Sequence, residues 1–85
     1  MISSVFSRNG GSGARAYEMV DLSNQINNSN QNFTLKPFRR GTILVFYNGL
    51  AQRTGSEIIE ISRSEFRTSF VPSTGSILLV FFQPL

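Results

Sequence analysis

Gly41-Thr42-Ile43-Leu44-Val45-Phe46-Tyr47-Asn48-Gly49-Leu50-Ala51-Gln52 is the stretch that decides the fold class. β-Branched and aromatic residues crowd it, and these suit a pleated, buried surface. Asn48-Gly49 supplies the pair that best tolerates φ > 0 at both centres of a type I′ turn. The stretch therefore predicts a hairpin, with strands over Ile43–Tyr47 and Leu50–Arg53. A second apolar run, Ile77-Leu78-Leu79-Val80-Phe81-Phe82, lies near the end of the sequence. Both runs are apolar at consecutive positions, whereas strand side chains alternate between faces. Both faces of these strands thus want cover. A small chain covers one face with its own second layer. The other face is expected to meet a partner subunit, which points to an assembly protein.

Working outward, short strands and turns recur. Ala16–Val20 reads as a short strand or a single helical turn. Ser23–Asn32 is rich in Asn and Ser, which bond their own backbone and favour turns, so a loop is expected there with Ile26 tucked inward. Asn32–Leu35 reads as a strand closed by Pro37. Beyond the hairpin, Thr54-Gly55-Ser56 is a loop. In Glu57–Ser62, Ile59 and Ile61 face one way and Glu60 the other. Arg63-Ser64 reads as a turn. In Glu65–Val71, Phe66, Thr68 and Phe70 share one face, with Arg67 and Ser69 opposite. Pro72–Gly75 is a turn and Ser76–Phe82 the last strand. No segment carries a useful 3.6-residue apolar period. The expected fold is all-β: a small antiparallel β-sandwich or barrel, one domain over residues 15–85, with its core in 32–83.

The chain has 85 residues, with eight Lys or Arg against five Asp or Glu and a net charge of +3. This is near the lower size at which a core supports a fold unaided. With no Cys there is no disulfide to staple it, so oligomerisation is the expected compensation. Only Arg39 and Arg40 are adjacent among the bases, so the excess reads mainly as solvated surface. No segment approaches the ~20 apolar residues of a membrane-spanning helix. The start, Met1–Arg8, lacks signal-peptide character, so synthesis in a cytoplasm is expected.

The chemistry of enzymes is poorly provided for. There is no His as general base near neutral pH and no Cys nucleophile. Lys36 is the only lysine available to pair with a serine. Glu57, Glu60 and Glu65 would meet across a hairpin only in some registers, and read instead as charge that keeps strand faces from sticking. Zinc wants Cys and His, calcium wants clustered acids, and Asp21 stands nearly alone. No catalytic residue, metal site or cofactor is expected. Phe38, Phe46 and Tyr47 near Lys36, Arg39 and Arg40 leave a second possibility, a small barrel that binds single-stranded nucleic acid.

Met1–Ala14 forms a separate arm. Asn9-Gly10-Gly11-Ser12-Gly13 is a flexible linker composition, with Ile2, Val5 and Phe6 as small apolar anchors and Arg8 as a charged one. Fully extended it spans up to ~45–50 Å, enough to reach an adjacent subunit. Candidate partner-binding residues are therefore Ile2, Val5, Phe6, Arg8, Arg39 and Arg40. Leu44, Phe46, Leu78, Val80 and Phe82 are the candidates for core or oligomer contact.

The order of elements from Val20 to Phe82 resembles a β module that recurs in tailed-phage structural proteins. The resemblance runs through Ile26-Asn27 with Asn30, then Phe33-Thr34-Leu35, Pro37 and Gly41. Its most specific piece is Val45-Phe46-Tyr47-Asn48-Gly49-Leu50-Ala51-Gln52, a Val-Phe-x-Asn-Gly-Leu-x-Gln pattern. Phe70-Val71-Pro72-Ser73-Thr74-Gly75-Ser76-Ile77-Leu78 follows, ending in Phe81-Phe82. Where the module often has Asp-Tyr, this chain has Glu57-Ile58. The likeness covers roughly three quarters of the chain. It implies an all-β virion part, made in the host cytoplasm and located in the virion. A single module with an arm suits a capsid decoration or cement protein. Its expected state is a homo-oligomer, a trimer first, bound to the major capsid protein or another virion protein. A tail, baseplate or fibre accessory protein is the alternative.

Overall fold

The computed structural model describes residues 16–85. It contains seven strands: β1 (Glu18–Asp21), β2 (Asn32–Thr34), β3 (Leu44–Tyr47), β4 (Leu50–Gln52), β5 (Ile58–Ser62), β6 (Glu65–Thr68) and β7 (Leu78–Phe82). They form two antiparallel sheets, one in the order β1-β7-β3-β4 and the other β2-β6-β5. The fold is all-β, a small sandwich of a four-stranded and a three-stranded sheet.

The hairpin forms as its residues require. Tyr47 pairs with Leu50 across a two-residue turn. Asn48 has φ 51° and Gly49 φ 85°. Asn48 also ties the hairpin to β7. Its N–H donates to the Ile77 carbonyl at 2.8 Å and its Oδ1 accepts from the Ile77 N–H at 2.8 Å. The Pro72–Gly75 turn lies just upstream of Ile77, closed from the Ser76 N–H to the Ser73 carbonyl at 3.0 Å. Tyr47 Oη holds it, 3.0 Å from Ser76 Oγ and accepting from the Ser73 N–H at 3.1 Å.

The inner faces alternate as strand geometry demands. Val45, Leu78, Val80 and Phe82 come from the larger sheet, and Phe33, Ile58 and Phe66 from the smaller. Phe33 and Phe66 are paired in register and stack with ring centroids 5.7 Å apart. Thr68 is buried among them, its hydroxyl donating to the Phe70 carbonyl at 2.6 Å. Phe66 and Thr68 are buried and Phe70 half-buried, while Arg67 and Ser69 are exposed, as the alternation predicts.

Two boundaries differ from the sequence reading. The N-terminal strand covers Glu18–Asp21 and pairs with β7, while Leu22 and Ile26 are buried in the main cluster. The core therefore begins upstream of residue 32. The Asn-rich stretch opens on a 3-10 turn, Ser23–Gln25, and brings Ile26 inward as expected. In β5 the alternation holds, but Ile59 and Ile61 are the exposed pair and Glu60 points inward, opposite Phe66. A register shift between Glu60 and Ser62 accompanies this. Glu60 tolerates its place because Arg40 Nε donates to its Oε1 at 2.9 Å and the Gly41 N–H to its Oε2 at 2.9 Å.

Candidate interaction surfaces

The first surface is the outer face of the four-stranded sheet. Residues opposite one another in register share a face. One row runs Met19, Phe81, Leu44 across β1, β7 and β3. The next runs Asp21, Leu79, Phe46, Ala51 across all four strands. Apart from Asp21 at one edge, both rows are apolar. Met19 is 54% exposed and Leu44 47%. Phe46 and Phe81 are half-buried against each other, edge to face, with centroids 5.8 Å apart. The residues named from sequence for core or oligomer contact thus divide: Leu78, Val80 and Phe82 are core, while Leu44 and Phe46 lie outside.

The smaller sheet carries a different outer face. Arg67 stands between Asn32 and Ile59 in register. Arg67 Nη1 donates to Asn32 Oδ1 at 3.1 Å, and Asn32 Nδ2 to Glu65 Oε2 at 2.9 Å. Ile59 and Ile61 are exposed beside them, so this face mixes polar and apolar residues, whereas contiguous apolar surface marks an interaction site.

The second surface is an open cleft of about 290 Å³ lined by Arg39, Arg40, Arg63 and Leu85. Three chain segments build it. The Phe38 N–H donates to the Arg63 carbonyl at 2.8 Å, Arg39 N–H to the Gln83 carbonyl at 2.8 Å, and Leu85 N–H to the Pro37 carbonyl at 3.2 Å. Arg39 and Arg40 were expected together. Arg63 was missed, since only the pairing of β2 with β6 brings the Arg63-Ser64 turn beside Pro37 and Phe38.

The aromatic residues near these bases separate. Phe38 is fully buried in the core. Tyr47 pairs with Leu78, at the opposite end of β7 from Gln83 and Arg39. Phe46 packs on Phe81 in the apolar outer face. Glu57, Glu60 and Glu65 also do not converge. Glu57 accepts from the Arg53 N–H at 2.9 Å, while Glu60 and Glu65 bond the partners given above. Among the described residues, no three His, Cys, Asp or Glu side chains are grouped to hold a metal ion. No helix among these residues is long and apolar enough to cross a membrane. Ile2, Val5, Phe6 and Arg8 lie outside the described residues.

No protein-family model matches the chain, and neither does any curated protein or solved structure.

Proposed function

We propose that this protein is a structural virion component of a tailed bacteriophage, a capsid decoration or cement protein that binds and stabilises the capsid lattice as an oligomer. The observation that supports an assembly role is the apolar outer face of the four-stranded sheet, centred on Leu44, Phe46, Leu79 and Phe81. A second copy of the chain is its proposed cover, in a trimer with these faces turned inward. The likeness of Val45–Gln52 and its flanking segments to the phage module supplies the virion context. Residues 1–14 would serve as a tether to a neighbouring subunit. Catalysis has no part in this reading.

Co-purification with intact particles tests it. The expected result is association in many copies per particle that survives washing. A handful of copies would favour the tail, baseplate or fibre reading, and no association would overturn the virion role. The single-strand-binding alternative loses support from the burial of Phe38 and the distance of Tyr47 from the arginines, since such sites need exposed stacking platforms beside their basic groove.

A further inference from the structure

We propose that the cleft of Arg39, Arg40 and Arg63 is an oxyanion site that takes a side-chain carboxylate of a partner protein. The choice of a protein partner rests on the assembly reading above, while the cleft itself rests on charge and geometry.

Three of the six bases among the described residues are ion-paired locally. Lys36 Nζ lies 2.9 Å from Glu18 Oε1, and Arg53 Nε 3.4 Å from Glu57 Oε1. Arg67 is held by Asn32 and Gln31. Arg40 shares Glu60, which binds its Nε. Arg39 and Arg63 make no ion pair with any described residue. Two of the three arginines without an ion pair among the described residues thus line one cleft beside Arg40, whose Nε binds Glu60. Like charges sharing a cleft disfavour one another, and an anion bound among them relieves this.

The backbone fixes this convergence. Hydrogen bonds among Pro37, Phe38, Arg39, Arg63, Gln83 and Leu85 set where each arginine leaves the main chain. Arginine presents a planar fork of donors that matches a carboxylate or phosphate in a bidentate manner. The site is small and open. An open cleft of this kind admits the head of an acidic side chain from a partner's surface. A nucleic-acid backbone would instead want a stripe of bases.

The test uses the full chain and two probes of matched charge, a hexaglutamate peptide and a six-phosphate oligothymidylate. Arginine Nε–Hε resonances are followed by NMR. The peptide is expected to shift Arg39 and Arg63 saturably and leave Arg53 and Arg67 in place. Arg39→Gln with Arg63→Gln should weaken peptide affinity about tenfold or more with an unchanged melting temperature. Arg39→Lys with Arg63→Lys keeps the charge, loses the fork and should bind with intermediate strength. Absence of a saturable shift overturns the proposal, as does tighter binding of the oligothymidylate. If peptide binding is absent while the chain still decorates particles, only the cleft inference falls. If the chain binds peptide but never associates with particles, only the assembly reading falls.

Discussion

Single side chains close most of the turns, and each yields a separate expectation. Gly49 meets nothing within 4 Å where a Cβ would sit, so only its φ of 85° resists substitution. Gly49→Val should therefore cost about 1–2 kcal/mol, from the strain of a β-branched residue in the left-handed region. Thermal melting measures it, and an unchanged midpoint would speak against the strained turn. Tyr47→Phe removes the hydroxyl that holds Ser73 and Ser76, and should cost about 1 kcal/mol by the same measurement. Asp21 accepts from the Ser23 hydroxyl at 2.5 Å and its N–H at 2.9 Å, and these bonds hold its pKa below the ordinary 3.8. Glu57 is likewise lowered from 4.5, first by the Arg53 N–H. A lowered carboxyl stabilises the fold above its unfolded pKa and loses that contribution as pH falls through the folded value. Urea midpoints should therefore drop below about pH 4, and Asp21→Asn with Glu57→Gln should flatten that drop. An equally steep drop in the double variant would contradict the assignment. Gly49, Ile26 and the Pro72–Gly75 turn were legible in sequence because their conformation depends on neighbours along the chain. Arg63 and Glu60 were not, because their surroundings come from distant segments.

At the scale of elements, consecutive apolar residues hid which face of a strand turns inward. Leu44, Val45 and Phe46 are all apolar, and only the pairing of Val45 with Val80 assigns the middle one to the core. A shift of one residue would reverse every side chain. β1 was hard to see for a related reason, since its partner β7 lies at the far end of the chain. The Asn-rich stretch carries more structure than a loop assignment conveys. Gln25 Nε2 donates to the Thr34 carbonyl at 2.8 Å while its Oε1 accepts from the Thr34 N–H at 3.0 Å. Its amide thereby acts as a substitute strand and covers part of the exposed edge of β2. In β5, sequence alone put Ile59 and Ile61 on one face and Glu60 on the other, without saying which face turns inward. The inward Glu60 joins the 40–41 turn to the smaller sheet. Its side chain is only 10% exposed, so Glu60→Ala should cost about 1–3 kcal/mol by leaving the Gly41 N–H and Arg40 without their acceptor. Glu60→Gln keeps one acceptor and should cost less. Equal stability of Glu60→Ala and the native chain would show that the contact is dispensable.

For the whole molecule, the two sheets share one core but differ outside it. The smaller sheet meets solvent through a mixture of Asn32, Arg67 and Glu65 with Ile59 and Ile61, while the larger one presents the contiguous apolar rows of Met19, Leu44, Phe46, Leu79 and Phe81. A domain this small gains from covering such a face. Sequence foretold that one face would lack cover, but not which one, because that follows from the register of β3 on β7. The described core is closed within residues 16–85, so deleting residues 1–14 should leave melting nearly unchanged and lower particle occupancy. Unchanged occupancy would remove the tether, and collapse of the fold would place the arm in the core. Sedimentation velocity of the full chain beside Leu44→Lys tests the assembly face most directly, because Leu44 is exposed and lysine there leaves the core intact. The account predicts that the native chain sediments as an oligomer and that Leu44→Lys sediments as a monomer with the same far-ultraviolet circular dichroism. A native chain that stays monomeric at every concentration, or an oligomer indifferent to Leu44→Lys, would contradict it.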